Sequence, residues 1–204
     1  TGISGGTNFT GLRSPNSTAG VSYTFDVKAV DAYNNLVDSG ANNYTGSKTI
    51  SWADSVAGNA PSTDTPTFPS TTVAFTNGEA NGLSATYVNA TTGRTIEADD
   101  TGTPVSGTAS TSFTVQANTD DDYAVSASTP QTAGVAFNVT ITARDQYDNV
   151  MGALYTAPAG TYTWSTNASN APDTTGPSIG TLVQGDFSAG VATKSVTLYA
   201  AESG

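Results

Sequence analysis

The side chains best suited to chemistry in this sequence are carboxylates that occur in short runs. Asp120, Asp121 and Asp122 are consecutive, and adjacent carboxylates repel one another unless water or a cation lies between them. Carboxylate oxygens are ligands that Ca²⁺ prefers in proteins, so the run is a candidate calcium site. A solvated linker is the alternative interpretation, because runs of like charge commonly stay hydrated.

A second candidate cation site lies in the motif Asp-x-Tyr-x-Asn, which occurs at residues 31–35 and again at 145–149. In the second copy, Asp145 and Asp148 could combine with loop carbonyls as oxygen ligands. The first copy has Asn34 at the position of Asp148, which makes it a poorer calcium site. The alternative interpretation is a turn, since Asp accepts hydrogen bonds from nearby amides and Asn tolerates left-handed backbone.

Six asparagines lie in Asn-x-Ser/Thr triplets, the acceptor pattern for N-linked glycans. Glycans are expected there if the chain belongs to an exported, glycosylated coat. Chance is the alternative explanation, because a chain rich in Asn, Thr and Ser produces such triplets readily. The candidate acceptors are Asn8, Asn16, Asn43, Asn89, Asn138 and Asn167.

The residue types that the sequence lacks exclude several kinds of chemistry. The chain has no Cys and no His, which excludes thiol catalysis, His-dependent triads and zinc sites built on thiolate or imidazole. A carboxylate pair of the glycosidase kind is the catalytic option that is left. The acidic residues fall mainly in expected turns and linkers, so we predict that the protein is not an enzyme.

The balance of charge limits the partners of the chain. Its 17 Asp and Glu residues against 6 Lys and Arg give a net charge of -11. So few dispersed cations cannot neutralise a nucleic-acid backbone, and an anionic membrane surface is disfavoured for the same reason. No run reaches the roughly 18 apolar residues of a membrane-spanning helix. We therefore expect no nucleic-acid partner and no membrane insertion within this segment.

The elements that must position these side chains are repeated. Residues 18–35 return as residues 132–149, with 8 of the 18 positions identical. A spacing of 114 residues is the size of a domain rather than of a solenoid repeat. The duplication predicts a first domain at 1–118, an acidic linker at 119–122 and a second domain at 123–204.

Apolar residues alternate with polar ones within each copy, which is the pattern of antiparallel strands that cover a core on one face. In the first copy the apolar face consists of Val21, Tyr23, Phe25, Val27 and Ala29. Trp52 and Trp164 occupy equivalent inward strand positions, which favours core packing over sugar stacking. Short strands separated by turn residues predict an all-β fold of two β-sandwiches.

The second copy ends early. Residues 89–93 align with residues 200–204, so counterparts of the expected strands at 94–99 and 110–116 are missing. A sandwich without two strands leaves unpaired edges. Either the protein continues past Gly204, or a strand from a neighbouring subunit completes the second domain. For the second case, we considered a donated N-terminal strand near Phe9.

The repeated pattern, followed by a strand Trp and by Ser-Phe-Thr-Val at 112–115, resembles the immunoglobulin-like repeats of prokaryotic surface proteins. That group includes the modules of invasin and intimin type and those of S-layer proteins and large adhesins. The resemblance implies two tandem Ig-like domains at the cell surface, in a surface layer, filament or adhesin stalk. It also implies that the partners are copies of the chain or neighbouring Ig-like modules, and it supplies no catalytic residues. The alternative is a module that binds a cell-surface carbohydrate or a host receptor.

Overall fold

The computed structural model describes residues 7–10, 16–56, 58–102, 107, 109–110, 112–153 and 155–201. Within these ranges the regular structure consists of β-strands and two short 3₁₀ turns, at Gly40–Asn42 and Gln184–Asp186. The chain divides into two compact units, Thr1–Asn118 and Thr119–Gly204. The all-β fold of two β-sandwich domains predicted from the alternation is confirmed.

Unit 1 is built from three three-stranded sheets, with the strand orders β1-β3-β6, β5-β4-β8 and β2-β9-β7. Every pairing is antiparallel except that of β2 with β9. The strands are β1 Thr7–Thr10, β2 Asn16–Thr18, β3 Ser22–Ala29, β4 Gly46–Asp54, β5 Thr72–Phe75, β6 Glu79–Thr86, β7 Thr91–Arg94, β8 Ile96–Asp100 and β9 Phe113–Gln116.

The alternation along β3 builds the core of unit 1. Phe25, Val27 and Ala29 are buried and Tyr23 is half-buried, as predicted. Val21 departs from the prediction: it precedes the strand and is half-exposed. Its amide N–H donates to the carbonyl of Thr18 at 3.0 Å, so it belongs to the turn that leads into β3 rather than to the core-facing row.

Unit 2 contains a three-stranded sheet with the order β10-β11-β14 and a two-stranded sheet formed by β12 and β13. These correspond to β1-β3-β6 and to the β4-β5 pair of unit 1. Its core contains Val139, Ile141, Leu182, Ala192 and Val196. The strands are β10 Asp120–Ala127, β11 Phe137–Asp145, β12 Thr161–Tyr162, β13 Leu182–Val183 and β14 Val191–Val196. Within the described residues of unit 2, β14 is the last strand.

Two expectations about strand ends differ from the structure. The acidic run expected as a linker at 119–122 instead lies in β10, where Asp122 pairs with Arg144 of β11. Within this run, Arg144 supplies the countercharge for Asp122. The segment near Phe9, considered as a donated strand, is paired with β3 of its own unit, with Phe9 opposite Val27.

The duplication extends to the irregular backbone. The left-handed residues Asn34 and Asp148 have φ of 64° and 62°, in the two copies of the Asp-x-Tyr-x-Asn motif. Gly78 and Gly190 close equivalent hairpins, and each accepts a hydrogen bond from the amide of Ala29 or Ala143 at 2.8 Å. A side chain at Gly190 would place Cβ 2.3 Å from the carbonyl oxygen of Met151, so only glycine fits there.

Candidate functional site

Both copies of the Asp-x-Tyr-x-Asn motif fold as a turn held by the first Asp. Asp31 Oδ1 accepts from the amides of Tyr33 and Asn35 at 2.8 and 2.9 Å, and its Oδ2 accepts from Asn35 Nδ2 at 3.0 Å. The side-chain amide of Asn35 is the main cause that lowers the pKa of Asp31 below its usual value. These are the bonds expected of the turn interpretation.

The second copy repeats this arrangement in a buried setting. Asp145 is only 1% exposed, and its Oδ1 accepts from the amides of Tyr147 and Asn149 at 2.9 and 3.0 Å. Asn149 Nδ2 also donates to both carboxylate oxygens, at 3.1 and 3.0 Å. The carboxylate that was predicted as a calcium ligand is thus surrounded by donors from its own loop.

Arg144 forms ion pairs with two more of the predicted calcium ligands. Its Nε and Nη2 donate to Asp122 Oδ1 and Oδ2 at 3.0 and 2.6 Å, and its Nη1 lies 3.0 Å from Asp148 Oδ1. The bonds from Asp122 raise the pKa of Arg144 above its usual value. The first copy has Val30 at the position of Arg144 and Asn34 at the position of Asp148. The extra base and the extra acid of the second copy therefore occur together.

Asp120 is held by tyrosine hydroxyls. Its Oδ2 accepts from Tyr123 Oη at 3.1 Å and from Tyr155 Oη at 3.2 Å. An irregularity of the pairing register between Asp120 and Asp122 places one extra residue, Asp121, in the strand. The extra residue lets Asp120 and Tyr123 share a face, which strict alternation would prevent. Burial raises the pKa of both tyrosines, so they stay protonated donors at neutral pH.

The predicted calcium ligands are therefore spread over several arrangements. Asp122 and Asp148 flank Arg144, Asp145 braces its own turn, Asp120 meets two tyrosines, and Asp121 is exposed. Among the residues that the structure describes, no group of three or more acidic side chains could hold a metal ion. A calcium site at these positions stays a prediction.

The glycan acceptors differ in accessibility. Asn138 and Asn167 are exposed. Asn43 is half-buried and its Nδ2 donates to Asn77 Oδ1 at 3.1 Å, a bond that a glycan on that nitrogen would disturb. Asn89 is half-buried, and the side chains of Asn8 and Asn16 lie outside the described residues. Occupancy at all six stays a prediction.

Unit 1 contains a buried ion pair that the sequence patterns did not predict. The Arg94 side chain is 0% exposed, and its guanidinium is paired with Asp54 and lies 4.3 Å from the ring centroid of Tyr87. Burial raises the pKa of the Asp54 carboxyl, and Arg94 acts in the opposite direction. The sequence contained a signal for it, because Arg94, Ile96 and Ala98 occupy alternate positions and the latter two point inward.

Both tryptophans form hydrogen bonds to the backbone of their own unit. Trp52 Nε1 donates to the carbonyl of Ser70 at 3.3 Å, and Trp164 Nε1 donates to that of Gly180 at 3.1 Å. The Trp52 ring also packs edge-on against Phe25, with centroids 5.8 Å apart. By contrast, Tyr33 at the tip of the first Asp-x-Tyr-x-Asn turn is 85% exposed.

Two solved structures show a distant similarity to this chain. One is the crystal structure of invasin, a bacterial integrin-binding protein, with 11% identity and a TM-score of 0.46 over 94% of this chain and 34% of that one. The other is surface layer protein SbsC, domains 4–9, with 14% identity and a TM-score of 0.30 over 96% of this chain and 27% of that one. The chain thus spans about a third or less of the length of either structure.

No protein-family model matches the chain, and no curated protein does. With identities and TM-scores this low, the class of protein rests on the chain's own strands, which form two Ig-like β-sandwich domains. Within the described residues, no helix is long and apolar enough to span a membrane.

Proposed function

We propose that this chain is a structural part of a prokaryotic cell-surface protein: a segment or subunit of a surface layer, a filament or an adhesin stalk. The observation that carries the proposal is that one β-sandwich module is built twice with the same bracing. Equivalent Asp-to-Asn turns, hairpins and tryptophan anchors recur in both units. Repeated modules of this kind serve reach and assembly.

The bonding of the polar side chains supports a structural role. Four of the five acidic residues of the predicted site brace a turn, neutralise Arg144 or accept from tyrosine hydroxyls. Partners would be copies of the chain or neighbouring Ig-like modules, met through sheet edges and domain ends. The absence of enzymatic activity and the location outside the cell remain parts of this proposal.

Electron microscopy and sedimentation of the purified chain test the assembly form of the proposal. We expect association that increases with concentration, and ordered layers or filaments in the images. The same samples with added calcium and with a chelator test the predicted calcium dependence separately. A chain that stays monomeric at every concentration, in both conditions, contradicts the layer and filament roles.

A second candidate function is recognition of a carbohydrate or a receptor, and the exposed ring of Tyr33 favours it. An aromatic ring that is 85% exposed at a turn offers a stacking surface. A glycan array with the isolated chain would show saturable binding that Tyr33→Ser abolishes and Tyr199→Ser leaves intact. Tyr199 is the matched control because it is an exposed tyrosine of unit 2.

A further inference from the structure

Strand β6 contains an irregularity that β14, its counterpart in unit 2, lacks. Where the pairing register between β3 and β6 shifts, Asn81 and Gly82 both lie opposite Asp26. The pairing of β11 with β14 continues without such a shift, and Thr193 alone lies opposite Thr140. The extra residue forms a bulge in β6. Because unit 2 forms the equivalent sheet without a bulge, the fold itself does not require one.

The bulge brings an Asn-Gly pair together with a carboxylate. The amide N–H of Gly82 donates to Asp26 Oδ1 at 2.8 Å. Asn81 and Gly82 are both exposed, and a Cβ built on Gly82 would have no heavy atom within 4 Å. The backbone at Gly82 is therefore uncrowded, and its nitrogen is bonded through its proton to a base. Unit 2 has Thr140 in place of the carboxylate, so the extra residue and the acid occur together.

This arrangement suits a reaction in which the backbone nitrogen that follows an asparagine attacks the side-chain amide carbon. The bond from Gly82 N to Asn81 Cγ forms, the bond from Cγ to Nδ2 breaks, and ammonia leaves. The attacking nitrogen must lose a proton, and the departing amine must gain one. Asp26 is placed to accept the first proton and to return it to the amine, as a general base and then a general acid. Water opens the resulting succinimide to aspartate or isoaspartate.

We propose that Asn81 is a self-modification site, where Asp26 promotes conversion of the asparagine to aspartate and isoaspartate. Water is the other reactant, so the reaction requires no cofactor and no partner protein. The inference is independent of the proposed scaffold role. The Asn81 side-chain amide donates to Glu79, so the new carboxylate repels this neighbour and loosens the bulge.

A second Asn-Gly pair, Asn77 and Gly78, lies in a different setting. The Gly78 amide donates to the carbonyl of Tyr44 at 2.8 Å, and a carbonyl oxygen does not take up a proton at neutral pH. A Cβ on Gly78 would lie 2.9 Å from the carbonyl oxygen of Val37, so this backbone is closely packed. Asn77 Oδ1 also accepts from Asn43 Nδ2 at 3.1 Å. The same reaction should therefore be slow at Asn77.

The test incubates the full chain in neutral buffer and measures the modified fraction of each Asn-Gly pair by peptide mass spectrometry. We expect Asn81 to react about tenfold or more faster than Asn77, with isoaspartate among the products. In concentrated urea the two pairs should react at similar rates, because glycine follows the asparagine in both. Equal rates in the folded chain would overturn the proposal. So would aspartate as the sole product, because direct hydrolysis of the side chain forms no isoaspartate.

Asp26→Asn is the matched variant, because its side-chain oxygen still accepts from the Gly82 amide but does not take up the proton. We expect the reaction at Asn81 to become about tenfold slower in the folded variant and to keep its rate in urea. Unchanged hydrogen exchange along β3 verifies the fold, and the comparison of Asn81 with Asn77 decides the matter if the variant does not fold. An equal or faster reaction in the folded variant would mean that Asp26 restrains Gly82 instead of acting as its base, which contradicts the proposal.

Discussion

Arg94 and Arg144 show how one side chain serves two purposes according to its surroundings. Arg94 is enclosed in unit 1 with Asp54, whereas Arg144 is partly exposed between Asp122 and Asp148. A buried ion pair leaves a costly unpaired charge when one partner is removed, and an exposed pair contributes little. The two arginines therefore form a natural comparison.

We expect Arg94→Met to destabilise unit 1 by about 3–5 kcal/mol, because it leaves the Asp54 carboxylate buried without its cation. Arg144→Met should cost about 1 kcal/mol or less. Urea-dependent hydrogen exchange at the amides of β3 and β11 reports the two units separately. Equal losses in the two variants would show that Arg94 is not enclosed as described.

A pH dependence is expected in unit 2 from Asp186. The amide of Val183 donates to its Oδ2 at 2.8 Å and Lys194 Nζ lies 3.0 Å from both oxygens, and these bonds lower the pKa of Asp186 below its usual value. A carboxyl with a lowered pKa contributes stability above its unfolded pKa, and this contribution is lost as the pH falls through the folded pKa.

Exchange protection of the β14 amides should therefore decrease as the pH falls below the ordinary pKa of an Asp carboxyl and through the lowered pKa of Asp186, and Asp186→Asn should flatten that decrease. Lys194→Met should keep part of it, because the hydrogen bond from the Val183 amide, the largest single cause of the lowered pKa, is retained. A pH profile that Asp186→Asn leaves unchanged would assign the acid sensitivity to other groups.

At the scale of the elements, the two hairpins that precede β6 and β14 have the same geometry and different residues. Asn77 and Ala189 both have φ of 48°, and a glycine with φ of 80° follows each. Asn tolerates this left-handed conformation better than Ala. The first hairpin thus has the residue that its backbone favours, and the second does not.

Ala189→Asn should stabilise unit 2 by about 0.5–1 kcal/mol, and Asn77→Ala should destabilise unit 1. Asn77 also accepts from Asn43 Nδ2 at 3.1 Å, so Asn77→Gly separates the loss of this bond from the backbone strain. Thermal unfolding of each variant provides the measurement. A lower stability of Ala189→Asn would mean that the second hairpin does not have this turn.

The strands and turns also show which features the sequence patterns could predict and which they could not. Strict alternation predicted β3 and β11 and most of their buried residues, although Val21 and its counterpart Val135 precede the strands and are exposed. The Asp-x-Tyr-x-Asn turns follow from local hydrogen bonding. The acidic run was misassigned to a linker because its countercharge, Arg144, lies 22 residues away and is brought to it only by the strand register. Arg94 was missed because a charged residue at an inward position is unusual unless its partner is known.

At the scale of the whole molecule, the duplication makes each unit a reference for the other. Unit 1 shows β8 and β9 covering the core, and the described part of unit 2 shows the same core with that side open. Within the described residues, this open side explains why Val125, on the core-facing side of its sheet, is largely exposed.

Site-resolved hydrogen exchange of the chain tests this picture most directly. The pairing of β4 with β8 should protect the amides of Ser51 and Ala53, while those of Thr163 and Ser165 at the equivalent positions should exchange at rates close to those of an open chain. β3 and β11 should both be strongly protected. Equal protection at Ser51 and Thr163, or protection confined to one unit, would contradict two equivalent β-sandwiches of which the second has an open edge.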